Sequence, residues 1–203
     1  MEAQPFEVVS VKPSARIVTQ GRRLEDQVAS VFISFVHEDE PIANSVKSLI
    51  EEELELEPDE EVFLSSDFRQ VRPGELWMDK IRAALESCEV LLSLLSGRSI
   101  RRPWINFEAG AAWIQKRPVI PVCFGKMSKA SLPQPYSGMQ AVVLPGQEDE
   151  LLKAVARYLG KNWSPPMRDE DAELMSRLSG QPVKSSSLWR KVLAAHLKEY
   201  SDV

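Results

Sequence analysis

An indole and a carboxylate four residues apart are the side chains of this sequence best placed to do chemistry. Trp104 and Glu108 would lie on one face of a helix, one turn apart, because residues i and i+4 are neighbours on a helical surface. Pro103 has the fixed φ angle that suits a first helical position. The small residues 109–112 allow close approach to the backbone. We therefore predict a helix that begins near Pro103 and presents the Glu108 carboxylate to a cleft.

Short apolar runs alternate with helical patterns over the middle of the chain, and these elements must position the carboxylate. The predicted strands span residues 31–35, 62–65, 90–95, 119–124 and 139–144. The predicted helices start near residues 41, 75, 103 and 148, the first of them with Asp39 as a cap-like acid. This alternation predicts a doubly wound, flavodoxin-like sheet of five parallel strands with helices on both faces. In such sheets, ligands bind outside the carboxyl ends of the strands, where the strand order reverses.

The two ends of the sequence lie outside this alternation. Residues 1–27 hold two short apolar runs, which are either strands or an arm ordered against a partner. After a Pro-Pro linker, two further helices are predicted at 169–178 and 187–200. The second either packs on its own domain or contacts a partner through an apolar stripe, assigned to Leu188, Val192, Ala195 and Leu197. The predicted divisions are an N-terminal arm, an α/β domain and a small C-terminal helical extension, at 1–27, 28–160 and 161–203.

Composition narrows the classes of function. The formal net charge of -5 argues against direct binding to nucleic acid. No apolar run approaches the roughly 20 residues that cross a membrane, and no secretory signal pattern is found at the start. Cys88 and Cys123 have no CxxC spacing, so we expect neither a disulfide framework nor a metal site, and a cytoplasmic location fits.

Familiar catalytic motifs are absent or badly placed. No GxGxxG follows the first strand and no P-loop occurs, which disfavours a Rossmann dehydrogenase. The residue types of a hydrolase triad occur at Ser34, His37 and Asp39, but these residues are too close along the chain for triad geometry. We interpret His37 as a surface-loop residue, and Trp77 and Trp113 as core packing.

Three segments of the sequence resemble a bacterial Toll/interleukin-1 receptor (TIR) domain. They are residues 31–35, the segment 63–67 with its Pro-Gly loop at 73–74, and residues 99–104 followed by 107–110. The resemblance covers about residues 29–160 and leaves both ends of the chain outside. The Trp-x-x-x-Glu-Ala-Gly element after the third strand is fairly specific. The Pro-Gly loop is similar to the BB loop of TIR domains.

The resemblance implies an enzyme that cleaves the nicotinamide–ribose bond of NAD⁺. In enzymatic TIR domains the glutamate of the third-helix motif is catalytic, and here it is Glu108. Ser34, Phe35 and Asp67 would border the nicotinamide-ribose pocket, with Trp104 as its wall. The products would be nicotinamide and ADP-ribose, or a cyclic or transferred ADP-ribose, in antiphage immune signalling. NAD⁺ would be the substrate, and no cofactor is expected.

The resemblance also implies self-association, with a separate sensor or effector protein as a possible partner. The BB-loop residues assigned to this contact are Phe68, Arg69, Arg72 and Gly74. Two other functions stay open: a scaffold that associates without catalysis, and an enzyme similar to the nucleoside deoxyribosyltransferases. Arg98, Arg101 and Arg102 form a basic cluster. Three roles stay open for it: contact with the NAD⁺ phosphates, contact with a neighbouring subunit, or simple exposure to solvent.

Overall fold

Five parallel strands form the sheet that supports the candidate site. The computed structural model describes residues 29–65, 77–167, 169–179 and 188–200. The strands are β1 (Val31–Ser34), β2 (Val62–Ser65), β3 (Val90–Leu95), β4 (Val119–Cys123) and β5 (Val142–Val143). Their order in the sheet is β2-β1-β3-β4-β5, and every neighbouring pair is parallel. This order confirms the predicted flavodoxin-like sheet, in which the direction of winding reverses between β1 and β3.

Six helices accompany the sheet in the described residues, and their starts follow the predicted ones closely. They are α1 (Glu40–Glu53), α2 (Trp77–Ser87), α3 (Pro103–Ile114), α4 (Glu148–Tyr158), α5 (Asp169–Ser179) and α6 (Leu188–Glu199). Pro103 is the first residue of α3, as its fixed φ angle predicted. Gly160 has a φ of +66° just after α4, which is the left-handed conformation that commonly ends a helix.

Helices cover both faces of the sheet. Residues of α1, α4 and α6 share one core cluster with Ile33 of β1 and Leu92 of β3. Residues of α2 and α3 share another with Phe32 and Leu91, which are the preceding residues on the same two strands. Neighbouring residues of a strand point to opposite faces, so this division follows directly from the period of two.

The last strand is shorter than the prediction of 139–144. β5 contains only Val142 and Val143, which pair with Val122 and Cys123 of β4. A 3₁₀ turn at Tyr136–Gly138 occupies the approach to the strand. Strand pairing between β4 and β5 is therefore limited to two residues on each strand. The apolar character of residues 139–144 does not reveal this limit.

The predicted apolar stripe of α6 is correct at Leu197 and wrong at Leu188 and Ala195, and Val192 is half-buried. Leu193 and Leu197 are buried and α6 packs against α1, whereas Leu188 is 67% exposed and Ala195 is also exposed. The sequence of α6 has apolar residues on two faces of the helix, and only one of these faces is buried. The buried face includes Leu193, and the large side chains of Trp189 and Tyr200 pack against the same core.

Two further sequence expectations need correction. Trp113 is 68% exposed and not a core residue, because the buried face of α3 is formed by Ile105, Glu108, Ala109 and Ala112. Asp39 lies at the residue before α1, but its carboxylate makes no capping hydrogen bond; it accepts one from Ser96 Oγ at 2.8 Å. The Trp77 side chain lies outside the described part of the structure.

The two cysteines, Cys88 and Cys123, are buried and free. No helix among the described residues is both long enough and apolar enough to cross a membrane.

Candidate active site

A row of three buried serines runs across the sheet near the carboxyl ends of its strands. Ser65 of β2, Ser34 of β1 and Ser93 of β3 are direct neighbours in the parallel register, and all three are fully buried. Two residues before each serine, an apolar side chain packs against α2 and α3. Because side chains of a strand alternate between the faces, the serine hydroxyls point to that same face. The row therefore marks the face and the edge where the strand order reverses.

The carboxylate of Glu108 lies over this row. Its Oε2 accepts a hydrogen bond from Ser34 Oγ, and its Oε1 accepts one from Ser65 Oγ. The indole Nε1 of Trp104 donates to Oε1 at 2.8 Å, across the one helical turn that separates the two residues. Glu108 is fully buried, so both oxygens are satisfied entirely by protein donors.

Burial raises the pKa of Glu108 to about 7. Removing a carboxylate from water disfavours its charged form, whereas the three donors from Ser34, Ser65 and Trp104 favour that form and lower the pKa in part. The group therefore changes its charge near neutral pH. Strongly perturbed acids of this kind concentrate at functional sites.

Tyr136 closes the site from the connection between β4 and β5. It is among the largest fully buried side chains, and its hydroxyl donates to the backbone oxygen of Ile105 in α3 at 3.3 Å. Burial, and further the negative charge of Glu108, raise the pKa of Tyr136 to about 12. The Ser93 hydroxyl lies near it without a hydrogen bond of normal geometry among the described residues. Tyr136 thus fastens the first turn of α3.

An aromatic pair flanks the carboxylate on α3. The rings of Trp104 and Phe107 stack with their centroids 5.1 Å apart and their planes at 27°. Phe107 is 54% exposed, so one side of the pair is open to solvent. The arrangement offers a flat apolar surface beside Glu108, on which a planar ring can stack.

The structure brings only some of the predicted site residues together. Ser34 and Trp104 contact Glu108, but the Phe35 side chain packs in the core beneath α1, on the other face of the sheet. The remaining predicted residues, Asp67, Phe68, Arg69, Arg72 and Gly74, lie outside the described residues.

Sequence reasoning missed Ser65, Ser93 and Tyr136. A signal for the two serines exists, because an apolar residue, any residue and then a serine recur in three strands, at the end of β1 and of β2 and two residues before the end of β3. No comparable pattern marks Tyr136, which reaches the site through the fold.

The alternative triad is not formed. His37 Nδ1 is 3.2 Å from Glu40 Oε2, Asp39 bonds Ser96, and Ser34 bonds Glu108. Within the ranges that the structure describes, no group of three His, Cys, Asp or Glu side chains is placed to hold a metal ion.

Similar solved structures include receptors and an enzyme. The TIR domain of the Toll-related receptor TRR-2 from Hydra magnipapillata is 16% identical, over 65% of this chain and 95% of that chain, with a TM-score of 0.46. A metazoan TIR-STING receptor from C. gigas is 18% identical, over 79% of this chain and 48% of that chain, with a TM-score of 0.47. A CMP N-glycosidase from Clostridium botulinum is 14% identical, over 63% of this chain and 99% of that chain, with a TM-score of 0.38.

These scores are too low to transfer a function from any of the three proteins. Among curated proteins, none is significantly similar in sequence. The family model of the TIR domain matches residues 31–159, which run from the first residue of β1 to just after α4. The match includes the serine row, Trp104 and Glu108. On this evidence the chain belongs to the TIR domain family.

Proposed function

We propose that this protein is an NAD⁺ nucleosidase in which Glu108 is the catalytic residue. The observation that carries the proposal is the Glu108 carboxylate, which lies where the strand order reverses and is held by Ser34, Ser65 and Trp104. This is the edge at which sheets of this type bind their ligands. The products are nicotinamide and ADP-ribose, or a cyclic or transferred ADP-ribose.

The chemistry needs only one carboxylate. In NAD⁺ the leaving group is a pyridinium, so the electron pair of the broken C1′–N bond neutralises it and no proton has to be delivered. Ordinary glycosidases use two carboxyl groups because their leaving oxygen must be protonated. Here one charged Glu108 stabilises the positive charge that develops on the ribose. Water or a hydroxyl then forms the new bond to C1′ and loses its proton to the solvent.

The described geometry corresponds to a closed form of the site. Both Glu108 oxygens already accept hydrogen bonds, and the residue is fully buried. For the carboxylate to hold the ribose hydroxyls of a substrate, the site must open so that these hydroxyls reach the Glu108 oxygens. An enzyme built in this way is nearly silent until the site opens.

Opening by self-association fits this requirement. TIR domains commonly self-associate. We propose that neighbouring copies complete the site through the BB loop around Phe68, Arg69, Arg72 and Gly74, and that a separate sensor or effector protein acts with it in cytoplasmic immune signalling, such as antiphage defence.

A product assay tests the proposal. The protein at high concentration is incubated with NAD⁺, and the products are separated by chromatography with mass detection. Release of nicotinamide is expected, and the mass of the second product separates hydrolysis from cyclisation and transfer. An unchanged NAD⁺ pool at every protein concentration contradicts the proposal.

A non-catalytic scaffold is the second candidate, and the closed state of Glu108 favours it. In a scaffold the carboxylate would only tie α3 to β1 and β2. Calorimetric titration with NAD⁺ on a confirmed oligomer distinguishes the two functions, because a pure scaffold gives no binding heat.

A further inference from the structure

A second concave site lies at the carboxyl ends of β3 and β4, beyond the serine row. It is a cavity of about 280 Å³ between the turn that follows β3 and the turn that follows β4. Its lining includes three cationic side chains, two glycines and an aromatic ring: Arg98, Arg101, Lys126, Gly97, Gly125 and Tyr200.

The charge of this cavity is opposite to that of the protein as a whole. The full chain carries a net charge of -5, yet among the described residues the cavity is lined by Arg98, Arg101 and Lys126 and by no carboxylate. Among the described residues, neither Arg98 nor Arg101 forms an ion pair with a carboxylate. The third arginine of the sequence cluster behaves differently, since Arg102 Nη2 is 2.7 Å from Glu38 Oε1. Within the described part of the chain, two guanidinium groups therefore line the cavity without a carboxylate at ion-pair distance.

The acids that the structure describes near the cavity form no ion pair with Arg98 or Arg101. Asp39 is buried behind it and bonded to Ser96 Oγ; burial raises the pKa of Asp39, and the positive charge of Arg98 opposes this. Glu38 is engaged by Arg102. Glu199 is exposed on α6 and acts on Tyr200 only through its charge.

The two glycines keep the walls of the cavity open. A Cβ atom added to Gly97 would meet nothing within 4 Å. Gly125 has a φ of +63°, and a Cβ there would lie 3.2 Å from the backbone oxygen of Tyr200. Gly125 thus permits both its turn and the close approach of the segment after α6.

Tyr200 forms one wall of the cavity and is fixed from three sides. The Arg98 guanidinium lies over its ring, 5.4 Å from the centroid. The Phe124 ring meets it edge-on at 5.9 Å, and its hydroxyl donates to the backbone oxygen of Glu38. Arg98 is thereby held in place by a ring that leaves its N–H donors available, because a cation–π contact uses the face of the guanidinium.

We infer that this cavity binds a phosphate or diphosphate group of a nucleotide. Guanidinium groups match phosphate geometry and form strong charge-assisted hydrogen bonds with it. The group has two possible sources: the diphosphate of NAD⁺ itself, in which case the inference rests on the proposed function, or a separate phosphorylated ligand.

Calorimetric titration with inorganic pyrophosphate tests the site independently of catalysis. Wild-type protein is compared with Arg101→Gln and with Arg157→Gln, which removes the same charge from an exposed position in the last turn of α4, at the opposite edge of the sheet. Arg101→Gln is expected to weaken binding about tenfold, through loss of a charge-assisted contact, and Arg157→Gln to leave it unchanged. No binding to the wild-type protein, or equal binding by all three, overturns the inference.

A second arm identifies the source of the phosphate. Glu108→Gln protein is titrated with NAD⁺ with and without saturating pyrophosphate. Competition assigns the cavity to the diphosphate of the substrate, whereas independent binding assigns it to a separate ligand, and both results support an anion site. Pyrophosphate binding by a protein that never releases nicotinamide would overturn the proposed function alone.

Discussion

Glu108 experiences two opposing effects on its carboxyl group. Full burial disfavours its charge, and hydrogen bonds from Ser34, Ser65 and Trp104 favour it. The balance leaves the pKa at about 7, close to the pH at which a catalytic carboxylate must be charged. The three donors satisfy a buried carboxylate in either role, so the position beside the carboxyl ends of the strands is what favours catalysis over a purely structural role.

The stability of the protein should depend on pH through Glu108. The pKa is about 7 in the folded protein and the ordinary value of 4.5 applies in the unfolded chain, so between these values the folded state holds a proton that the unfolded state lacks. The free energy of unfolding therefore falls as the pH rises from about 4.5 to 7, by roughly 3 kcal/mol in total, and this contribution stays lost above pH 7. Urea unfolding of wild-type and Glu108→Gln proteins at pH 5 and pH 8 measures the effect; the same pH dependence in both proteins would rule it out.

Ser34→Ala removes the donor to Glu108 Oε2 and leaves a buried acceptor without a partner. We expect a loss of about 1–3 kcal/mol in the free energy of unfolding, larger at pH 8, where the carboxylate is charged, than at pH 5. Ser164→Ala, at an exposed position, is the matched control and should change little. Equal unfolding curves for the two variants at pH 8 would show that the Ser34 hydrogen bond has no energetic role.

The elements show which features a sequence can specify. β2 and β3 match their predicted limits because each is a short apolar run bounded by turn-forming or polar residues. Pro103 and Gly160 fix helix ends through their backbone conformations alone. The predicted stripe of α6 is right only at Leu197, because burial on this helix depends on the surface of α1, which lies far away in the sequence.

The α6 correction predicts a contrast between two leucines of the same helix. Leu193→Ala should destabilise the protein by about 2–5 kcal/mol, because the side chain is fully buried in the core shared with α1. Leu188→Ala should change the free energy of unfolding by less than about 0.5 kcal/mol, since that side chain is mostly exposed. Thermal or urea unfolding of both variants measures these changes. Equal losses in the free energy of unfolding would contradict the correction and support the burial of Leu188 that the sequence alone predicted.

At the scale of the whole molecule, the candidate site exists only because β1 and β2 share a register that places Ser34 beside Ser65. Trp104 and Glu108 are adjacent on one helix and could be predicted from local spacing. Their partners Ser34 and Ser65 come from β1 and β2, and Tyr136 from the connection before β5. These contacts are set by tertiary packing, so no spacing rule in the sequence predicts them beyond the serines at the ends of β1 and β2.

Activity should depend on assembly if neighbouring copies open the closed site. We expect nicotinamide release per chain to rise with protein concentration, in step with the oligomer seen by light scattering. Arg72→Glu, in the predicted BB loop, should lower both together. A variant that stayed monomeric yet fully active would contradict the composite site.

The rate of nicotinamide release by wild-type and Glu108→Gln proteins tests the central claim most directly. Both are assayed at the same high concentration, after circular dichroism has shown that the variant is folded. The proposed mechanism predicts release by the wild-type protein and a loss of at least about a hundredfold in the variant, because a neutral amide cannot stabilise the ribosyl cation. Equal rates in the two proteins, or no release by either at any concentration, would remove Glu108 from catalysis.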